Sequence, residues 1–122
     1  MVLIYNLNPT KEAKLKLLCR RLNIETRTVE KHEYGCRLGY LLGISEDGQT
    51  REGEDFEAEM LYISGIQGGM LSLFIDKLRR ERLIIPLKAI QTPTNVEFTS
   101  FELYRELQAE REAIAKNMTA HK

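Results

Sequence analysis

The length, composition and charge of this chain are those of one folded domain with no strong electrostatic preference. It has 122 residues, of which 43% are hydrophobic and 30% charged, and this supplies apolar material for one core. Its 18 basic and 18 acidic residues give a formal net charge of zero, so the positive field of a typical nucleic-acid-binding domain is absent. We therefore predict a single domain over residues 1–122 and rank nucleic-acid binding last among the functions considered below.

The cysteine content and the first residues indicate the compartment. Cys19 and Cys36 are too few for a disulfide framework or a four-ligand zinc site. The apolar start lacks the basic region of a signal peptide and meets Asn8-Pro9 early. No apolar run approaches the roughly 20 residues that a bilayer requires. We expect a cytoplasmic protein with reduced thiols and no membrane segment.

The first half, residues 1–30, has the order strand, helix, strand. Residues 2–7 are apolar and predict a buried strand, whereas the alternating β-branched residues of 24–30 favour a half-exposed one. Asn8 or Thr10 is placed to cap the helix between them. The apolar stripe of that helix has the spacing i, i+3, i+4, i+7 and consists of Leu15, Leu18, Cys19 and Leu22.

The second half, residues 60–91, repeats this order. Met60 to Ile63 predicts a buried strand, residues 69–82 a helix and residues 83–90 another strand. The stripe of this helix has the same spacing as the first and consists of Leu71, Phe74, Ile75 and Leu78. We interpret the halves as a pseudo-repeat of one β-α-β unit, with the alternative that two unrelated amphipathic helices align by their period alone.

The segment between the halves, residues 31–59, has two parts. The apolar stretch 38–43 favours a turn or short helix on the core. The stretch 45–59 is rich in acidic residues, contains a single base, Arg51, and is expected to bury little and to form a mobile loop.

A C-terminal helix is predicted within residues 98–116, beginning near Ser100. Thr99 and Glu102 have the spacing of a capping box, in which each side chain accepts a hydrogen bond from the other residue's backbone amide. Residues 117–122 are expected to fray.

These elements predict an α+β fold with a four-stranded sheet, helices on one face and an extra C-terminal helix. If each unit is split by a strand of the other, the fold is ferredoxin-like. If the strands of each unit are adjacent, the result is a small parallel α/β sheet. We favour the split arrangement, because a parallel sheet of four strands would need helices on both faces.

The loop between the first strand and the helix of the second half contains the first candidate binding residues. Ligands of open α/β sheets usually bind at the carboxyl ends of the strands. Ser64, Gly65, Gly68 and Gly69 lie at such an end, where backbone amides and the helix N-terminus could hold an anion. The glycine spacing fits neither a dinucleotide fingerprint nor a P-loop, and a tight strand-to-helix turn explains the same glycines.

The second group of candidates lies at the end of the last strand. Lys88 and Thr92 share one face of that strand, and Thr94 and Asn95 follow. A lysine with hydroxyls and an amide could bind a carboxylate or phosphate. Threonine and asparagine also hydrogen-bond their own backbone in turns, which is the competing interpretation.

The remaining polar residues predict no catalytic, cofactor or metal site. His32 and Cys36 have a spacing that a metal could use, but no further ligand pair accompanies them. Cys36 is a reactive thiol only if it is exposed. His121 is the only other histidine, so a Ser-His-Asp set is not evident. We expect no cofactor and favour a protein without enzymatic activity.

The second half also resembles a small bacterial family of domains of unknown function. The resemblance lies in residues 59–65, 78–79, 88–95 and 106–110. Its specific part is Lys88-Ala89, followed by Thr92-x-x-Asn95 and by an aromatic residue, Phe98, where many relatives carry Trp. Residues 38–43 are also similar, so the resemblance is expected to cover most of the chain. It implies no activity, substrate or cofactor, but it draws attention to the Thr92–Asn95 loop.

Three functions remain in consideration. We favour a non-enzymatic binding or regulatory module for a protein partner or a second copy of the chain, because two β-α-β units leave sheet edges open. The alternative is a site for a small anion, such as a phosphate, carboxylate or nucleotide, at the carboxyl end of the sheet. Nucleic-acid binding through Arg79, Arg80, Arg82 and Lys88 comes third, since no aromatic side chains are interleaved with these cations.

Overall fold

The computed structural model describes the backbone of residues 1–120 and the side chains of residues 1–116. Its four strands are β1 (Val2–Tyr5), β2 (Thr26–Thr28), β3 (Met60–Ile63) and β4 (Leu87–Ile90). Its four α-helices are α1 (Pro9–Arg21), α2 (Leu38–Leu41), α3 (Gly68–Arg80) and α4 (Ser100–Ala120). Short 3₁₀ turns at Lys31–Glu33 and Asn95–Glu97 complete the regular structure. Among the residues described, no helix has the length and apolar character needed to cross a membrane.

The four strands form one open sheet in the order β2-β1-β3-β4. β1 pairs in parallel with β2, and β3 in parallel with β4, so each β-α-β unit keeps its own two strands side by side. The two units meet through an antiparallel pairing of β1 with β3, in which Val2 lies opposite Ile63 and Tyr5 opposite Met60. The fold is therefore a mixed α+β sheet.

This strand order differs from both predicted arrangements. The split, ferredoxin-like order is wrong, because neither unit has a strand of the other inserted into it. The all-parallel alternative has the correct neighbours within each unit but the wrong direction between the units. The expectation of helices on one face is also wrong. It failed because residues outside the two units cover the second face and bury the adjacent parallel strands on both sides.

Each face of the sheet carries its own core. β1 and β3 are buried along their whole length, and their side chains alternate between the two faces. One face packs against α1 and α3, and its buried residues include Val2, Ile4, Leu15, Leu18, Cys19, Leu61, Ile63, Phe74 and Leu78. The other face packs against α2, α4 and the loops, and its buried residues include Leu3, Tyr5, Tyr34, Leu38, Leu41, Phe56, Tyr62, Leu87 and Leu103.

The helix caps predicted from the sequence are confirmed. The Asn8 side chain caps α1 by accepting a hydrogen bond from the Lys11 amide at 2.8 Å, with Pro9 in the first turn. At the start of α4, the Thr99 amide donates to Glu102 Oε1 at 3.0 Å and the Glu102 amide donates to Thr99 Oγ1 at 3.2 Å. Each cap satisfies backbone donors that the first turn of a helix leaves without partners.

The acidic stretch 45–59 has no helix or strand, but it is bound to the rest of the chain. Phe56 is buried on the second core, and its ring stacks on Tyr34 at 4.7 Å and on Tyr104 at 4.4 Å between centroids. Asn6 Nδ2 donates to the Phe56 and Ala58 carbonyls at 3.1 and 3.0 Å. The expectation that this stretch buries little is therefore wrong at Phe56. The free energy gained by burying its aromatic ring exceeds the tendency of the acidic neighbours to stay hydrated.

The C-terminal helix is longer than predicted, since its backbone continues to Ala120. The side chains of residues 117–122, and the backbone of 121 and 122, lie outside the described residues. For residues 117–120 the helical backbone differs from the expected fraying, whereas the expectation for residues 121 and 122, and the position of His121, fall outside the described residues.

Candidate functional site

The two predicted binding loops lie at the same end of the sheet, because β3 and β4 are parallel neighbours. The Ser64 hydroxyl donates a hydrogen bond to Gln91 Oε1, and the Gln91 amide donates to the Ile63 carbonyl at 2.9 Å. Both loops border one open depression of about 440 Å³, which Ile44 and Ile90 also line. The sequence-based prediction that this depression holds a ligand stays a prediction.

The turn after β4 is held together by its own hydrogen bonds. Asn95 Oδ1 accepts from the Thr92 amide at 2.8 Å and from the Tyr62 hydroxyl at 2.5 Å. Asn95 Nδ2 donates to the Ile90 carbonyl at 3.0 Å, and the Asn95 amide donates to Thr92 Oγ1 at 3.0 Å. Burial raises the pKa of the Tyr62 hydroxyl well above its usual value, so this group remains a donor at neutral pH. The geometry corresponds to the local-turn interpretation of Thr92 and Asn95.

Lys88 is directed away from this turn. Its side chain lies on the α3 face of β4, and its Nζ donates to the Ile85 carbonyl at 2.7 Å, before the start of the strand. Thr94 is exposed at the other end of β4. Alternation along β4 indicates the sheet face on which Lys88 lies, but it does not indicate the direction of the long lysine side chain. The structure therefore does not bring the predicted lysine together with the predicted hydroxyl and amide groups.

Two of the three glycines of the first loop have backbone conformations that explain their identity. Gly65 and Gly68 have φ values of 74° and 57°, a region that side-chain-bearing residues rarely adopt. Gly69 has open space where a Cβ would be. The amino terminus of α3 has no side-chain cap, since the Gln67 side chain makes no capping hydrogen bond.

The cysteine and histidine candidates are not brought into a site. Cys36 is only 6% exposed, with its Sγ 3.7 Å from Thr50 Oγ1, so the exposure required of a reactive thiol is missing. Burial raises the pKa of the Cys19 thiol to about 11. His32 lies exposed on a short turn. Within the described residues, no group of three or more His, Cys, Asp or Glu side chains could hold a metal ion.

The outer edge of β4 is a feature that the sequence interpretation did not single out. β4 is the last strand of the sheet and has a neighbour on one side only. Successive residues of a strand direct their backbone N–H and C=O groups to opposite edges. Because the backbone N–H of Gln91 donates to the Ile63 carbonyl of β3, the N–H and C=O groups of Lys88 and Ile90 point away from β3. The hydrogen bond from Asn95 to the Ile90 carbonyl lies on that outer side. The N–H and C=O of Lys88 and the N–H of Ile90 thus form a short open edge.

Apolar side chains flank this edge. Ile84 is 74% exposed and Ile90 is 48% exposed. A groove of about 270 Å³ runs between α3 and β4, and it is lined by Ile75, Leu78, Arg79, Leu83, Ile84, Ile85 and Lys88. The sequence signal for this surface was Pro86, because a proline inside an apolar run is typical of an edge strand.

The cations of this region are distributed unequally. Arg80 Nε pairs with Asp76 Oδ2 at 3.0 Å, whereas no carboxylate lies within ion-pair distance of Arg79 or Lys88 in the described part of the chain. Arg82 lines a different depression beside Asn8 and Lys14. The four cations predicted as one patch are therefore dispersed, and Arg79 and Lys88 are the two that line the β4 groove.

A further surface depression lies beside the acidic stretch. Its volume is about 530 Å³, and α4 and residues 54–57 form its walls. The ring of Tyr104 forms part of it and lies parallel to the buried Phe56 ring, with an interplanar angle of 3°. Glu54, Asp55 and Glu57 make this surface acidic, in contrast to the β4 groove.

Comparison with known proteins gives one match. Residues 59–114, a little under half of the chain, match the family model DUF3783, described as a domain of unknown function. This range contains β3, α3, β4 and the Thr92–Asn95 turn, but it does not include residues 38–43, so the resemblance is narrower than expected from the sequence. No curated protein and no solved structure matches the chain significantly. The second β-α-β unit and most of α4 are thus similar to an uncharacterised domain family.

Proposed function

We propose that this protein is a non-enzymatic binding module that engages a protein partner through the outer edge of β4. The observation that carries the proposal is the combination of unpaired strand groups with the exposed side chains of Ile84 and Ile90. An open edge offers backbone donors and acceptors to an added strand. Covering a fully exposed isoleucine contributes about 1.5–3 kcal/mol. Both contributions become available only when another chain covers this edge.

Site-specific photo-crosslinking tests the proposal. A photoreactive benzoylphenylalanine replaces Ile84 in one variant and Leu17 in a control, because Leu17 is 49% exposed on α1. We expect a discrete adduct from position 84 only. The adduct is expected to disappear with Lys88→Pro, which removes the outward N–H and leaves the bonds to β3 in place. Equal adducts from both positions, or an adduct that survives Lys88→Pro, would contradict docking at the edge.

The mass of the adduct also separates the two kinds of partner. An adduct of twice the chain mass identifies a second copy, and light scattering after size-exclusion chromatography then has to show a dimer. Any other discrete mass is a different protein, which supports the proposal only if that protein, once purified, binds the full chain and loses binding to the Lys88→Pro variant. With these confirmations both outcomes keep the binding-module proposal, whereas their failure or the absence of an adduct at position 84 refutes it.

A small-anion site at the carboxyl end of β3 is the second candidate, and one observation favours it. The Ser64 and Gln91 loops share a depression next to the α3 amino terminus, which has no side-chain cap. Phosphate, citrate and ATP should then raise the melting temperature, since a ligand at 100 times its Kd adds about 2.7 kcal/mol. Gly69→Pro, which removes an amide, should abolish the shift, and Gly69→Ala should keep it. If Gly69→Pro keeps the shift, the anion does not bind at this amide.

A further inference from the structure

This inference rests on the proposed docking function. The backbone groups, apolar side chains and charges at the β4 edge indicate which kind of protein segment would bind there. We propose that β4 receives an extended protein segment with a carboxylate opposite Lys88 and aliphatic side chains two residues to either side. Three features of the edge support this assignment: its backbone groups, its groove and its charges.

The backbone groups set the register of the incoming strand. Lys88 directs both its N–H and its C=O outward, whereas the carbonyl of Ile90 is already bound by Asn95. Pro86 has no N–H to offer on the other side of Lys88. Lys88 is therefore the central pairing position, and one residue of an antiparallel partner can exchange two hydrogen bonds with it.

The groove determines which face of the incoming strand is apolar. Lys88 and Ile90 lie on the α3 face of β4, because they are in register with Leu61 and Ile63 of the α1/α3 core. Side chains of an added strand that point to this face reach the groove lined by Ile75, Leu78 and Ile84. Its volume of about 270 Å³ is below the roughly 300–1,000 Å³ of typical small-molecule sites, and it suits single aliphatic side chains better.

The charges determine the polar residue. Arg79 and Lys88 line the groove, and no acidic side chain lines it. A residue directly opposite Lys88 on the same face lies within about 4.5–5.5 Å between Cβ atoms, where an opposite charge stabilises and a like charge destabilises the pair. A second β4 strand would place two of these cationic edges together. A carboxylate is thus the complementary side chain, and a copy of β4 is not.

The probe is a set of short blocked peptides with the core Ile-Thr-Glu-Thr-Ile, in which both isoleucines and the glutamate face one side. Binding to the full chain is measured by fluorescence anisotropy. We expect the glutamate peptide to bind about two- to fivefold more tightly than its Glu→Gln counterpart, and the Glu→Lys counterpart to bind more weakly still. This preference should fall as salt rises, because it comes from exposed charges.

Backbone methylation of the same peptide tests strand addition. Nα-methylation of the glutamate removes the donor to the Lys88 carbonyl in an antiparallel pair, and methylation of the following threonine removes it in a parallel pair. One of the two should weaken binding at least about tenfold. If neither does, the peptide does not add to the edge and the inference is overturned.

Matched protein variants separate the backbone from the charge. Lys88→Gln and Arg79→Gln should remove the preference for the glutamate peptide over the glutamine peptide. Arg80→Gln should leave this preference intact, because Arg80 pairs with Asp76. Lys88→Pro should remove binding altogether. A preference for the lysine peptide, a glutamate preference that survives both Gln variants, or no binding by any peptide overturns the acidic segment. Crosslinking from position 84 stays an independent measure of the docking function, so an edge that captures a neutral or basic segment refutes this inference alone.

Discussion

Asn95→Ala distinguishes a structural role for the Thr92–Asn95 turn from a ligand-binding role. The asparagine side chain makes three hydrogen bonds, to the Thr92 amide, the Tyr62 hydroxyl and the Ile90 carbonyl. Alanine removes all three. If Asn95 serves the turn, the free energy of unfolding falls, whereas a residue used only for a ligand can be truncated with little loss of stability.

The size of the loss follows from the exposure of the three partners. A hydrogen bond contributes about 0.5–1.5 kcal/mol net, and the exposed Thr92 and Ile90 groups lie at the low end because water replaces the asparagine. Tyr62 is fully buried, so its hydroxyl is left without a partner at a further cost of about 1–3 kcal/mol. We expect Asn95→Ala to lower the unfolding free energy by about 3 kcal/mol in urea denaturation, with an unchanged m-value.

Two further variants test the reasoning. In a Tyr62→Phe background the hydroxyl is absent, so the loss caused by Asn95→Ala should shrink by about 1–2 kcal/mol. The matched control is Thr94→Ala, an exposed threonine of the same turn, which should change stability by less than about 0.5 kcal/mol. A loss below about 1 kcal/mol for Asn95→Ala, or no coupling to Tyr62, would refute the structural role.

Three other predictions concern the core, the close packing and the pH dependence. Phe56→Ala should lower the unfolding free energy by about 3–5 kcal/mol and make the acidic stretch the first site of limited proteolysis, because its buried anchor is lost; unchanged cleavage would contradict the anchoring. Gly53→Ala should destabilise by about 1–3 kcal/mol in urea denaturation, since a Cβ there would lie 2.3 Å from Phe101 Cδ2. Gly69→Ala, in open space within α3, should be neutral or stabilise by up to about 1 kcal/mol, and equal effects of the two would contradict the packing argument. The raised pKa of Cys19 means that the folded state favours the neutral thiol, so its contribution is full below the ordinary thiol pKa of 9.0 and lost as pH rises towards about 11. Under reducing conditions stability should fall across that range, and Cys19→Val should lessen the fall; an identical fall in the variant would contradict this cause.

The features predicted well from the sequence depend on neighbouring residues. The Asn8 cap and the Thr99–Glu102 capping box act within one helical turn, so their residue types and spacing suffice to identify them. The buried strands β1 and β3 were equally clear, because each is a short apolar run ended by polar residues or glycine. The DUF3783 match likewise falls on the segment that carried the resemblance.

The features that could not be predicted depend on contacts far apart in the chain. The strand order follows from what covers the second sheet face, and that cover includes Phe56, a single aromatic residue within an acidic stretch. The composition of residues 45–59 predicts that most of them are hydrated. It does not reveal that the Phe56 ring packs between Tyr34 and Tyr104, which lie elsewhere in the chain. The candidate site differed for a similar reason, since the orientation of Lys88 depends on the position of the Ile85 carbonyl.

The bounds of the β4 edge have a consequence for solubility. An open strand with apolar neighbours is a template on which further chains can stack without end, which is how fibrils grow. Here Pro86 has no N–H to donate at one end of the edge. At the other end, the Ile90 carbonyl already accepts a hydrogen bond from the Asn95 side chain. The backbone groups that remain open are centred on Lys88 and are enough to pair with one short strand. The positive charge of Lys88 repels the β4 strand of a second copy of the chain. The proposed docking edge is therefore short, and its positive charge opposes the stacking of identical chains.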